Sequence, residues 1–383
     1  MKPIPKAALC LPFLTAALLT GCGTTTSTGQ PVMQALPAGK IDTPRLTAQG
    51  DVRDMKMAEI SGRIGAWAKG RIGAWAKGQE INATTRPDGL PSTFAENLPS
   101  WQSIHLAEAQ NLAPHLGQGV VVAVIDTGID PAHPMLQGHL SAPGSWYDFA
   151  NGDTNPTEVP TLSNGAYGHG TAVASVILQV APNATILPIR ALDSDGYGSS
   201  INIAKAVTWA ILQGAKVINI SAVSNVDTTL TTVLNLAATK GVYVTLAAGN
   251  EAVDKMPYPA INASKSGDFG LRAINVGAVG GDSKMASFSN YGRDLEITAP
   301  GVDLVAAVPG GYAVASGTSF SAPVLAGTLA LALGERQNLL FMGKLANQID
   351  LMGTDISKLN PAYKADTLGN GLLNAQAFLK SVQ

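Results

Sequence analysis

The chain has 383 residues, 46% of them apolar and 14% charged, with a formal net charge of −2. Such a length holds one large domain plus a smaller segment, and so apolar a composition excludes a mainly disordered chain. The near-neutral charge provides no broad basic field, which excludes nucleic acid as a partner.

Lys2 and Lys6 precede an apolar run from Ala7 to Leu19, followed by Thr20, Gly21 and Cys22. A charged start and a short apolar stretch mark a secretory signal, and the run is too short to span a bilayer. Cys10 and Cys22 are the only cysteines, so the rest of the chain has no disulfide framework. Leu19-Thr20-Gly21-Cys22 resembles the lipobox of bacterial lipoproteins. That resemblance implies a signal peptide over residues 1–21, cleavage before Cys22, and lipidation of Cys22. The protein is then an exported lipoprotein of the cell envelope, facing the periplasm or the cell surface. Gly23 is not the Asp that marks inner-membrane retention in some bacteria. An ordinary cleaved signal with an incidental cysteine is the alternative.

Residues 22–98 read as a tether and N-terminal segment. Gly23 to Gln30 is polar and has no apolar period. A helical tendency from Met55 to Ile81 is interrupted by a tandem duplication, Arg63 to Gly70 repeated unchanged as Arg71 to Gly78. Eight residues would rotate a continuous helix by about 80°, which a packed element rarely tolerates, and two copies are too few for a solenoid. A surface helix using Trp67, Trp75, Lys69 and Lys77 is the alternative. The segment stands where many secreted proteases carry a propeptide, without matching one.

From residue 99 onward the pattern is α/β. Trp101 to Leu116 reads as a short helix with a loop, and Val120 to Ile125 as a strand buried on both faces, ending at Asp126. Further strands are expected at 185–189, 217–221, 242–247, 274–279 and 295–298, with helices over 172–180, 201–212 and 229–239. This alternation predicts a three-layer α/β/α domain with a mainly parallel central sheet, whose strand ends collect functional groups. A long Ala/Leu-rich helix follows Ser319, with Pro323 expected in its first turn. Elements at 341–352 and 373–382 close the domain.

Four polar residues sit in Gly-bearing loops or helix starts: Asp126, His169 within Gly168-His169-Gly170-Thr171, Asn250 after Ala247-Ala248-Gly249, and Ser319 within Gly317-Thr318-Ser319-Phe320-Ser321-Ala322-Pro323. Alone, Asp126 reads equally well as a turn residue, while Asn250 reads more readily as a turn residue and Ser319 as a helix cap. His133 and His139 read as surface loop residues and not metal ligands, since no Cys or helical His pair accompanies them.

Together the four residues and their surroundings resemble the subtilisin-like serine peptidases, the subtilases, over about residues 100–380. Ala286-Ser287-Phe288-Ser289-Asn290, Ala299-Pro300-Gly301 and Gly371-Leu372-Leu373-Asn374 agree with it. The resemblance implies a serine endopeptidase with Ser319 as nucleophile, His169 as base, Asp126 as its orienting acid and Asn250 as oxyanion donor. A peptide or protein would be the substrate, and the protein a monomer. No cofactor would be required, although a weak calcium site stays open.

Three departures qualify that picture. Ala172 stands where many relatives have a second His. The helix after His169 runs directly into Val180-Ala181-Pro182, without the longer loop that holds a tight calcium in several subtilases. Ser221-Ala222-Val223-Ser224 replaces the family's Ser-Leu-Gly-Gly strand, so Ser221, Ala222 and Val223 are expected to line a narrowed substrate cleft. The residue preceding the cut bond is therefore expected to be small or medium in size. A catalytically silent scaffold or peptide binder on the same fold is the competing reading.

Overall fold

The computed structural model describes residues 45–48, 83–85, 91–160, 166–224, 230–264, 270–336, 349 and 351–383. The expected signal peptide, Cys22 and the duplication at 63–78 lie outside the described residues, as does most of the element expected at 341–352. The described residues all fall within one unit, Thr43–Gln383.

The strands that matter to the site are β1 (Arg45–Ala48), β2 (Val121–Asp126), β3 (Tyr147–Asp148), β4 (Thr185–Arg190), β5 (Tyr197–Ser199), β6 (Val217–Ile220), β7 (Ala222–Val223), β8 (Tyr243–Ala247), β9 (Ala273–Val279), β10 (Ile297–Pro300), β11 (Leu304–Val308) and β12 (Gly311–Ala315). A seven-stranded, wholly parallel sheet runs β10-β9-β8-β6-β2-β4-β3. β6, β8 and β9 bury every residue, which is why their sequences are near-continuous apolar runs instead of alternating ones, each interrupted by one buried polar residue, Asn219, Thr245 or Asn275. After β2 the chain builds β3 and β4 on one side, then β6, β8, β9 and β10 on the other. The strand order therefore reverses at β2, whose carboxyl end opens on the crevice where such sheets bind ligands.

Helices α1 (His169–Val180) and α4 (Thr318–Glu335) pack together against the sheet, and α2 (Ser200–Leu212) and α3 (Leu230–Thr239) form a second pair against it. Strands buried on both faces need one pair on each. α4 is the central helix: every residue from Thr318 to Leu333 is buried, as expected of a helix that is apolar all round. Each of its fully buried leucines contributes about 1.5–3 kcal/mol relative to an exposed one. Among the described residues no helix is long and apolar enough to cross a membrane.

Several details differ from the sequence reading. The strand expected at 295–298 is Ile297–Pro300, and the helix expected from Trp101 is two, Leu98–Ser103 and Leu106–Leu112, separated by His105 at φ 55°. Domain packing begins before residue 99. Phe94 is buried, and the Asn97 side chain donates to Gln179 and to the Val305 carbonyl while accepting from the Val305 N–H. Pro323 lies in the second turn of α4, not the first. A proline there leaves the carbonyl four residues back, that of Ser319, without its helical donor. The Ser221 hydroxyl supplies the missing bond at 2.9 Å.

β1 forms a small antiparallel sheet as the middle strand between β5 and β7. Leu46 lies opposite Gly198, Thr47 opposite both Tyr197 and Val223, and Ala48 opposite Ala222.

Candidate active site

Asp126 is the last residue of β2 and His169 the first of α1, and both side chains are buried. Gly168 precedes the helix at φ 94°, a conformation that favours glycine. Gly170 is equally constrained, because a Cβ there would stand 2.1 Å from the Gly128 carbonyl oxygen. That close approach brings the start of α1 onto the loop after Asp126. His169 Nδ1 lies 2.7 Å from Asp126 Oδ1, which also accepts the Thr127 N–H at 2.7 Å. A carboxylate acceptor assigns the proton to Nδ1 and leaves Nε2 as the basic nitrogen.

Ser319 sits in the first turn of α4, fully buried, with its hydroxyl donating at 3.3 Å to the Ser221 carbonyl. The ring of Phe320, the next residue, lies 5.4 Å from the His169 ring. Neutral hydrogen bonds hold this helix mouth. Thr245 donates to Asn219 Oδ1, Asn219 Nδ2 to the Ser221 hydroxyl, and that hydroxyl to the Ser319 carbonyl, each at 2.9 Å.

Asn250 follows β8. Its Oδ1 accepts from both the N–H and the hydroxyl of Thr318 at 2.9 Å, which fixes the amide orientation because a backbone N–H can only donate. Its Nδ2 is buried and has no hydrogen-bond partner among the described residues. Asn290 ties this loop down, accepting the N–H groups of Glu251 and Val253 and donating to the Ala248 carbonyl.

The mouth of α1 is held by a charge-bearing group that the sequence reading missed. Glu158 is buried; its Oε1 accepts from the Thr127 hydroxyl at 2.6 Å and the Gly170 N–H at 3.1 Å, and its Oε2 from the Thr171 hydroxyl at 3.0 Å. Burial raises its carboxyl to about 7, against the hydrogen bonds from Thr127 and Thr171. Beside it Arg190 donates to the Thr127 carbonyl at 3.0 Å and pairs with the buried Asp148 at 2.8 Å. Hydroxyls one residue after Asp126 and two after His169 were the available signal for a shared acceptor.

The structure thus gathers Asp126 with His169, and Asn250 with the turn that carries Ser319. Ser221, Ala222 and Val223 continue from β6 into β7, and all three are buried. His133 is a correction to the sequence reading. It is buried, donating from Nε2 to the Gly311 carbonyl at 2.9 Å and accepting the Met135 N–H at Nδ1, and burial lowers its pKa. Among the described residues no three His, Cys, Asp or Glu side chains cluster to hold a metal.

The Subtilase family model matches residues 117–352. A thermophilic serine proteinase of Bacillus sp. (strain AK1) is 39% identical over 232 residues, 57% of this chain and 53% of that relative. The match therefore spans about half of the relative's length. Subtilisin E of Bacillus subtilis (strain 168) is 34% identical over 308 residues, 77% of this chain and 74% of the relative. The crystal structure of a cold adapted subtilisin-like serine proteinase superposes with a TM-score of 0.55 at 30% identity, covering 63% of this chain and 85% of that one. With its family match and these relatives, the chain belongs to the subtilase family of subtilisin-like serine peptidases.

Proposed function

We propose that this protein is a serine endopeptidase that cleaves peptide bonds through an acyl-enzyme intermediate. The observation that carries the reading is the buried 2.7 Å bond between His169 Nδ1 and Asp126, which holds the imidazole with Nε2 as base. The Ser319 hydroxyl turns from the Ser221 carbonyl to attack the substrate carbonyl, and Nε2 takes its proton. The oxyanion receives the Ser319 N–H at the mouth of α4 and the Asn250 Nδ2, whose orientation Thr318 already sets. Collapse expels the amine with the proton from His169, and water then hydrolyses the acyl group by the same steps.

The substrate binds as an extended strand between β5 and β7, the position that β1 of this chain occupies. β1 runs from Arg45 toward Ala48, which pairs with Ala222, and so leads the chain toward Ser221, whose carbonyl accepts the Ser319 hydroxyl. On this reading Gln49–Gly50 is a bond the enzyme cuts in its own chain. Val223, where relatives have Gly, narrows the cleft toward small or medium residues before the cut bond. Cys22, lipidated after signal cleavage, anchors the enzyme to the cell envelope.

Intact mass and N-terminal sequencing of the full chain, as wild type and as Ser319→Ala, test the reading. The wild type is expected to yield a species beginning at Gly50 and the variant none. Identical processing of both would contradict it.

A further inference from the structure

We propose that Glu158 is a positioning residue for the Asp126–His169 pair, and that its carboxylate moves the acid limb of the reaction to higher pH. Its carboxylate joins the two elements that must meet: Thr127, next to Asp126, and the first turn of α1, through Gly170 and Thr171. Its backbone is anchored to the same loop, since Glu158 donates to the Ile129 carbonyl and Ile129 to the Pro156 carbonyl. Thr127 also accepts from Gly170, and Thr171 from Asp130, so both hydroxyls have their protons directed at Glu158. Three donors converge on two carboxylate oxygens, a pocket built for an anion.

Burial opposes that anion and raises the carboxyl to about 7, so it changes charge near neutral pH. Asp126 and His169 face Glu158 from β2 and α1, and Asp130 and Tyr167 flank it. Arg190 passes the same loop with its charge paired to Asp148. The ionised Glu158 favours the imidazolium of His169. Protonated, it withdraws that support and needs an acceptor that its three donors do not provide.

The proposal rests on the serine-peptidase reading, and one experiment separates the two. The inactivation rate by a fluorophosphonate is measured against pH for the wild type, Glu158→Gln and Thr171→Val. Glu158→Gln removes a negative charge near His169, so its acid limb moves to lower pH. Thr171→Val removes a donor to the anion, so Glu158 holds its proton longer, supports the imidazolium less, and the limb moves to lower pH by a smaller amount. Shifts of both limbs to lower pH, the larger in Glu158→Gln, are the expected result. A part that only holds the fold would change the plateau rate and leave both limbs in place. Limbs that coincide with the wild type overturn the role of Glu158, as does a shift of either variant to higher pH. If Glu158→Gln fails to fold, an unmoved limb in Thr171→Val alone overturns it. A wild type that does not react overturns the peptidase reading instead.

Discussion

On the proposed mechanism two helix mouths carry the chemistry, and they are held in opposite ways. The mouth of α4 presents Ser319 through neutral groups: Thr245, Asn219 and Ser221 in series, and Thr318 with Asn250. The mouth of α1 presents His169 through buried ionisable groups, Asp126 and Glu158, with the Arg190–Asp148 pair behind them. A neutral brace keeps its geometry at any pH. A charged brace makes the base responsive to pH and leaves a buried carboxylate whose desolvation the fold must offset. The difference matches the tasks: a nucleophile needs a fixed position, and a base needs a fixed position and an adjusted affinity for a proton.

The largest effects should come from removing the reacting groups. Ser319→Ala is expected to abolish peptide hydrolysis, with a loss of about a million-fold, the magnitude found in subtilisin itself. Steady-state turnover checks this, and retention of more than a trace would break the assignment of α4. Asn250→Ala should lower kcat about 100- to 1,000-fold with little change in KM, again a magnitude taken from subtilisin. A change confined to KM would mean that Asn250 holds the substrate and not the oxyanion.

The next comparison concerns the brace alone. Asn219→Ala cuts the neutral series behind Ser221 and leaves the buried Thr245 hydroxyl without its acceptor, a cost of about 1–3 kcal/mol. Denaturant titration should show that loss, while the acid limb of the pH profile stays where it is. A moved limb would erase the distinction between the two mouths.

The last effect is a slope with pH. Glu158 is raised from 4.5 to about 7 in the folded protein, so between those values the folded state keeps a proton that the unfolded state releases. Its contribution to stability is present below 4.5 and is lost as pH rises through 7. The stability of wild type relative to Glu158→Gln should therefore fall with rising pH across that window, by up to about 1.4 kcal/mol per pH unit. Thermal melts at several pH values check it, and a flat difference would contradict the raised carboxyl.

What could be read from the residues alone follows the same physical lines. The buried parallel strands were legible because burial on both faces writes a continuous β-branched run, as in Val121 to Ile125. The four chemical residues were legible because glycines frame them. The short β5 and β7 were not expected as strands, having too few residues to show a period. His133 was misread because its burial depends on the Gly311 carbonyl, 178 residues away. Glu158 lies in a polar loop where nothing local distinguishes it from a solvated acid; its role exists only once Thr127 and Gly170 reach it. Pro323 is the clearest case of a distant remedy, since its missing donor is replaced by Ser221, 98 residues from Ser319.

The central claim is that an acid, an imidazole and an alcohol act here as one unit. Peptide mapping of the fluorophosphonate adduct, in wild type and in His169→Ala, tests it most directly. The account predicts one adduct, on Ser319, that is lost with the imidazole. An adduct on another residue, or one on Ser319 that forms equally fast without His169, would contradict it.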